Sequence, residues 1–300
     1  MTPPTPSHAQ GPGRLRVAIA AALLLGAGCA GPSLVLPVHL ERDVLRAAAD
    51  AAPPADYASA VRAISAVMVE ELGLPLPGEF TLYVYPTRGA YARGLAAAGD
   101  LPAERAADIA RHSAGLGQAR RLFINDGALR DVPRKVWLGV LAHELTHVAQ
   151  YALSGGRRGR SEQWLREGMA DWVACRVVER LGAGRFREER DRAVRAVARG
   201  FGRLGDGPLD LVELGRPHGW EARHRRAGGK LTYRLVFLLT DELVRRHGFE
   251  RLLTYLRAFA DADDRFGNFR RAFGVSVEAF EAEALGRLRE ELGRQAASPS

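Results

Sequence analysis

The stretch LAHELTHVAQ (141–150) places three titratable side chains in a segment that is otherwise apolar enough to be a buried helix. On an α-helix, His143 and His147 lie about 40° apart around the axis, and Glu144 lies about 100° from His143. All three side chains therefore project from one side of the helix, and this arrangement predicts a shared chemical role for them.

Two histidines at this spacing can bind one zinc ion through neutral ring nitrogens, with the intervening glutamate next to a metal-bound water. Zinc lowers the pKa of such a water towards about 7, and the carboxylate can accept its proton as the water attacks a carbonyl. The site needs a third ligand, and WLREGMADW (164–172) offers Glu167, far enough downstream for a second helix to return antiparallel to the first. Asp171 lies on the same face of that helix, where it can accept a hydrogen bond from a ligand histidine.

The two motifs together, HELTH and EGMAD, resemble those of the gluzincin zinc metallopeptidases, the group that includes thermolysin and the peptidase MA-like families. The resemblance implies that His143, His147 and Glu167 hold one zinc ion per chain. It also implies that Glu144 is the general base and that Asp171 orients a ligand histidine. None of these five positions departs from the pattern of the family.

The resemblance covers roughly residues 80–290, with similarity at the level of motifs confined to 136–173. The segment 228–248 is similar to the helix that follows the site in aminopeptidase-like members, where a tyrosine donates a hydrogen bond to the developing oxyanion. Tyr233 would take that role, and a place in the apolar core is the alternative for it. RRLFIND (120–126) would be the edge strand, to which an extended substrate pairs.

Hydrophobic periodicity predicts an α+β fold. Strand patterns occupy 81–86 and 120–126, a glycine-rich loop occupies 201–229, and helical patterns occupy 57–72, 89–98, 102–114, 133–153, 161–181, 184–200, 230–247, 249–260 and 276–293. Together with the resemblance, the pattern implies one gluzincin-like metallopeptidase domain at 55–293, with a small mixed α/β N-terminal lobe (about 55–154) that contains the edge strand and the zinc-binding helix. A mainly helical C-terminal lobe (about 155–293) follows, and 294–300 is expected to be a disordered tail.

The N-terminus resembles a targeting segment. Two arginines precede the apolar run 17–28, which is too short to span a membrane but has the length of a signal peptide core, so 1–28 is interpreted as a signal peptide. LLLGAGCAG resembles the lipobox of bacterial lipoproteins and implies that Cys29 is lipidated. The protein would then be anchored to a membrane of the bacterial cell envelope, in the periplasm or facing the surface, with simple secretion as the alternative. The Ala- and Pro-rich residues 29–54 are expected to be a tether.

The charge pattern argues against a nucleic-acid-binding protein, and the cysteine content argues against a disulfide-rich one. The formal charge is +8, but the cations are almost all arginines that alternate with acids, and their clusters lack interleaved aromatic residues. We therefore expect no nucleic-acid partner. With Cys29 modified or removed, Cys175 is a lone cysteine that we interpret as a small buried hydrophobe, so no disulfide framework is expected.

These features predict an enzyme, a zinc-dependent peptidase of the cell envelope with a peptide or protein substrate. No acidic exopeptidase motif of the GxMEN kind precedes the zinc helix, which favours endopeptidase action. One alternative is a catalytically inactive lipoprotein that acts as a binding or assembly module, and the intact Glu144 counts against it. Another alternative is a basic module that binds anionic envelope polymers. This alternative does not explain the spacing of the HELTH and EGMAD motifs. His218 and His224, in the predicted loop, could contact substrate, and the sequence does not indicate the oligomeric state.

Overall fold

The computed structural model describes residues 31–41, 43, 45, 53–200 and 209–297, and its architecture is the predicted mixed α+β class. The strands are β1 (Leu34–His39), β2 (Glu79–Tyr85), β3 (Gly115–Gln118) and β4 (Arg121–Asn125). The helices are α1 (Tyr57–Ala66), α2 (Arg88–Ala97), α3 (Ala103–His112), α4 (Asp126–Leu129), α5 (Arg134–Leu153), α6 (Gln163–Arg180), α7 (Phe186–Gly200), α8 (Leu211–Leu214), α9 (Pro217–Ala227), α10 (Gly229–His247), α11 (Phe249–Arg257), α12 (Arg265–Phe273) and α13 (Val277–Ala297). A π-helical turn (Val67–Glu71) extends α1, and short 3-10 turns occupy Arg158–Arg160 and Ala258–Ala260.

The four strands form one mixed sheet in the order β1-β2-β4-β3. β1 is antiparallel to β2, β2 is parallel to β4, and β3 is antiparallel to β4. A parallel pair needs a crossover connection, which α2 and α3 provide between β2 and β4. The predicted edge strand RRLFIND is therefore wrong in its position, because β4 lies inside the sheet and the edge beside it is β3.

The side chains of β2 show why the sheet is covered on both faces. One face of β2 packs on the main apolar core and carries Phe80, Leu82 and Val84. The opposite face packs on a smaller apolar cluster, formed with α2 and α3, and carries Tyr83 and Tyr85. This alternation follows from the two-residue period of a strand. The main core continues without a break from the sheet through α5 and α6 to α13, so the two predicted lobes share one core.

Part of the predicted tether is a strand. LVLPVH (34–39) pairs along its whole length with β2, and its alternating apolar residues pack on the core. Proline is tolerated there because β1 is an edge strand, where one side of the backbone needs no partner in the sheet. The interpretation of 29–54 as a tether alone is therefore wrong for these six residues.

The predicted loop at 201–229 contains helical structure in its described part, α8 and α9. Pro217 lies at the start of α9, where its fixed φ favours a helix and its missing N–H needs no partner. The sequence analysis also missed α12, which begins after Asp264, whose carboxylate accepts the Gly267 N–H at 2.8 Å. The predicted tail begins too early, because α13 continues to Ala297 through residues with good helix propensity.

The targeting segment cannot be compared with this fold. The predicted signal peptide and Cys29 lie outside the described residues, and so do 298–300. Of the helices that the structure describes, none combines the length and apolar character needed to cross a bilayer. Burial raises the pKa of the Cys175 thiol to about 12, as expected for a cysteine that packs as a hydrophobe.

Candidate metal centre

The site is built on the antiparallel helices α5 and α6. α5 begins after Pro133 and ends where Gly155 and Gly156 take φ values of 57° and 86°. Glycine adopts this left-handed conformation without a steric penalty, so the chain can turn sharply and return as α6. The return places Asp171 beside the N-terminal part of the HELTH motif and Glu167 beside its C-terminal part.

Three potential metal ligands converge between the two helices. Oε2 of Glu167 lies 3.4 Å from Nε2 of His143 and 3.4 Å from Nε2 of His147. One donor atom from each residue lies within 4.8 Å of the other two, and within the described part of the chain no other group of histidine, cysteine or acidic residues converges in this way. These residues could hold a metal ion.

The outer nitrogen of each histidine has its own hydrogen-bond partner. Nδ1 of His143 lies 2.9 Å from Oδ1 of Asp171, and Nδ1 of His147 lies 3.0 Å from Oε1 of Gln150. A carboxylate or amide oxygen only accepts, so each Nδ1 carries the proton and donates it. In the neutral form of each ring, the lone pair is then on Nε2, which faces Glu167, as a metal ligand requires.

Burial and opposite charges act against each other at these ligands. Burial disfavours the charged form of His143, but the hydrogen bonds with Asp171 and Glu167 outweigh it and hold the pKa of this ring well above its usual range. Burial, reinforced by Arg158, lowers the pKa of His147. Burial would raise the pKa of Glu167, but the two histidines outweigh it and hold this pKa well below its usual value. Glu167 is therefore a carboxylate anion, and His143 must release its Nε2 proton before that nitrogen can bind a metal.

Glu144 lies on the side of α5 that faces β3. Its side chain is buried, and its Oε2 accepts the backbone N–H of Gly117 at 2.8 Å. A Cβ atom at Gly117 would lie 2.0 Å from the carbonyl oxygen of Glu144, and one at Gly115 would lie 2.6 Å from its Cγ. Two glycines on the edge strand thus let the strand approach the helix closely enough to hold the carboxylate.

Tyr233 on α10 completes the wall of the site. Its hydroxyl donates towards Oε2 of Glu167 across 3.4 Å, and its ring makes an edge contact with His143. Burial and the Glu167 charge raise its pKa well above the usual value, so the phenol stays protonated at neutral pH. The rings of Trp220 and His224 each pack 5.4 Å from that of Tyr233.

The segment that contains the three potential ligands also matches a known protein family. Residues 123–193 match the family described as BSP, peptidase of plants and bacteria. This similarity covers about a quarter of the chain, including the end of β4 and the whole of α5 and α6, and it supports a peptidase-like function. No curated protein and no solved structure matches the chain.

The structure brings together the residues that the sequence analysis assigned to metal binding and catalysis: His143, Glu144, His147, Glu167, Asp171 and Tyr233. Cys29 lies outside the described residues. His224 is on α9 rather than in a loop and contacts Tyr233, whereas His218 is exposed and contacts Glu213.

The sequence analysis missed the amide side chains of Gln150 and Gln163. Gln150 bonds His147, and Nε2 of Gln163 donates to Oε1 of Glu167 at 2.8 Å. Their spacing was an available signal, because Gln150 is three residues after one ligand and Gln163 is four residues before another. Both separations place side chains on the same face of a helix.

Proposed function

We propose that the protein is a zinc-dependent peptidase in which His143, His147 and Glu167 hold the metal and Glu144 is the general base. The observation that carries the proposal is the convergence of three potential ligand atoms between α5 and α6. Each histidine forms its hydrogen bond through Nδ1, so its Nε2 can face a metal. Zinc makes bonds of about 2.0–2.2 Å to such donors, and a tetrahedron with these bonds has edges of about 3.3–3.6 Å. The two nitrogen-to-oxygen separations of 3.4 Å fit that geometry, and all three donor atoms lie within 4.8 Å of one another.

When bound, zinc would supply a Lewis acid that polarises a peptide carbonyl and lowers the pKa of a water towards about 7. Glu144 would accept the proton of the attacking water and pass it to the leaving nitrogen. Gly117 holds Oε2 of that carboxylate, which leaves Oε1 available for the proton. Asp171 fixes the ring of His143, and the protonated hydroxyl of Tyr233 can donate a hydrogen bond to the oxyanion.

The proposed substrate is an internal bond of a peptide or protein. The match to a peptidase family supports a peptide substrate. The absence of an acidic exopeptidase motif before α5 in the sequence favours endopeptidase action. Quenched-fluorescence peptides with both termini blocked distinguish the alternatives, because an endopeptidase cleaves them and an exopeptidase does not.

Glu144→Gln tests the mechanism. The variant keeps the size of the side chain and an acceptor oxygen for Gly117 but cannot take a proton, so we expect hydrolysis to fall by about 100-fold or more. Zinc content and thermal stability should be unchanged. Glu104→Gln, at an exposed position on α3, is the matched control and should keep full activity.

Two outcomes would contradict this proposal in different ways. Full activity in Glu144→Gln would remove Glu144 from the mechanism. A wild-type protein that binds zinc but hydrolyses no peptide would instead favour the non-catalytic binding or assembly module.

We also propose that the protein is tethered to a membrane of the cell envelope through lipidated Cys29. The support is the apolar run and the lipobox-like residues before this cysteine. Cys29→Ser should move the protein from the membrane fraction to the soluble fraction of cells that express it. An unchanged distribution would contradict lipid anchoring.

A further inference from the structure

The side chains behind the proposed ligands form a network centred on Arg158, in the turn between α5 and α6. Nε of Arg158 donates to Oε1 of Gln150 at 3.1 Å, and the same oxygen accepts the Nδ1 proton of His147. Nε2 of Gln150 donates to the carbonyl oxygen of Arg166 at 2.8 Å. The fully buried Gln150 amide therefore has a partner for its oxygen and for its nitrogen.

The donor chemistry of arginine fixes the direction of this chain of hydrogen bonds. A guanidinium only donates, so the Gln150 atom that faces Arg158 must be the amide oxygen. That oxygen only accepts, so Nδ1 of His147 must carry the ring proton. The tautomer of His147 that presents an unprotonated Nε2 to a metal is thus favoured by both partners of the Gln150 amide, the Arg158 guanidinium and the Arg166 carbonyl, and of these two Arg158 supplies a side chain that can be changed.

The same guanidinium also lies near the third ligand. Its second terminal nitrogen is 3.9 Å from Oε1 of Glu167, the oxygen to which Gln163 also donates. Oε1 is held from outside the site, and Oε2 is left facing both histidines. The pair of outer contacts favours ligation by a single oxygen of Glu167.

The position of Arg158 is itself defined. The guanidinium lies over the ring of Tyr151, 5.2 Å from its centroid, and the side chain is largely buried. The backbone carbonyl of Arg158 accepts a hydrogen bond from Arg166 at 3.1 Å. A planar fork with separate nitrogens can reach Gln150 and Glu167 at once, whereas a lysine ammonium cannot reach two targets in this way.

We propose that Arg158 is a positioning residue of the metal site, which through Gln150 sets the tautomer and orientation of His147 and directly restrains the outer oxygen of Glu167. The inference rests on the proposed function, since it assigns a role towards the same metal. It goes beyond that function because it assigns to Arg158, which is not itself a ligand, the orientation of two of the three ligands, His147 and Glu167.

Arg158→Met tests this role by removing the donors and the charge while keeping an apolar stem against Tyr151. We expect the dissociation constant for zinc, measured by competition with a chromophoric chelator, to rise by about 10- to 100-fold, the usual effect of losing an outer partner of a metal ligand. Arg158→Lys should recover only part of this loss. Arg157→Met is the matched control, because Arg157 is the exposed neighbour of Arg158 and forms its ion pair with Asp263, at 3.9 Å, away from the metal ligands.

Cobalt substitution supplies a readout that general loss of stability would not move. The visible absorption bands of the cobalt-loaded protein report the ligand geometry, so we expect them to shift in Arg158→Met and not in Arg157→Met. A double-mutant cycle with Gln150→Leu adds a second test, because two residues that act through one chain of hydrogen bonds have non-additive effects. We expect the double variant to bind zinc more tightly than the product of the two single losses predicts.

The outcomes separate the two proposals. If the wild-type protein binds zinc and Arg158→Met matches Arg157→Met in dissociation constant and cobalt spectrum, the role of Arg158 is wrong and the proposed function stands. Fully multiplicative losses in the cycle would likewise overturn the path through Gln150. If the wild-type protein binds no metal, both proposals fail.

Discussion

Tyr233 can be tested as a single residue, because its hydroxyl and its ring have different consequences. The ring packs against Trp220 and His224 whether or not the hydroxyl takes part in chemistry. Tyr233→Phe keeps this packing and removes the donor, so we expect kcat to fall by about 100- to 1000-fold in the zinc-saturated protein. The measurement is steady-state hydrolysis of a blocked peptide. An unchanged kcat would contradict a catalytic role for the Tyr233 hydroxyl.

At the scale of single residues, the sequence predicted those site residues whose spacing follows the periodicity of a helix. His143 and His147 share a face of α5, and Glu167 and Asp171 share a face of α6, so the periodicity of a helix was enough to group each pair. Gln150 and Gln163 escaped notice because neutral amides are common on helices and belong to neither motif. Their roles became visible only when the distances to the ligands were known.

Among the elements, β3 depends most on contacts that are distant in sequence. GLGQ (115–118) has no β-branched residue and two glycines, so local propensity gives no strand signal. Its glycines are needed because α5 packs directly on the strand. β1 and α9 were missed for a related reason, since the proline in each of them, and the glycine in α9, indicate a loop in isolation. The long helices, whose periodicity spans many residues, were predicted to within a few residues.

Gly117→Ala tests the close approach of β3 to α5. The new Cβ would meet the carbonyl oxygen of Glu144 at 2.0 Å, so strand or helix must shift, and we expect a loss of about 1–3 kcal/mol in the free energy of unfolding. Urea denaturation measures this quantity, and hydrolysis should fall because the N–H that holds Glu144 moves.

Gly139→Ala, on α5 itself, is the control for the same chemical change. Its Cβ would meet only Val178 Cγ2 at 3.9 Å, so the better helix propensity of alanine should stabilise the protein by about 0.5–1 kcal/mol. Equal stability of the two variants would contradict the close contact at Gly117.

At the scale of the whole molecule, one apolar core joins the sheet to the helices that follow the site. Glu162, just before α6, is fully buried in this region, with Oε1 3.0 Å from Nε of Arg265 on α12. Burial raises its pKa to about 7, although Arg265 and Arg166 oppose that effect. In the folded protein, the carboxyl group of Glu162 therefore stays protonated to a higher pH than that of an exposed glutamic acid.

This pKa predicts how the free energy of unfolding depends on pH. The pKa of Glu162 is higher in the folded protein than the usual value of 4.5, so the folded state binds more protons between pH 4.5 and 7. Its contribution destabilises the fold fully above about pH 7 and disappears as the pH falls towards 4.5, a change of roughly 3 kcal/mol. Urea titrations of the wild type and Glu162→Gln from pH 5 to 8 measure it. The difference between the two curves should change across this range, and parallel curves would contradict the raised pKa.

The central claim is tested most directly by the zinc content of the purified protein, measured by elemental analysis after reconstitution and dialysis, beside Glu167→Ala and Glu144→Gln. We predict about one zinc per chain in the wild type and in Glu144→Gln, and much less in Glu167→Ala, because only the last removes a ligand. No zinc in the wild type, or equal zinc in Glu167→Ala, would contradict the assignment of His143, His147 and Glu167 as the metal site.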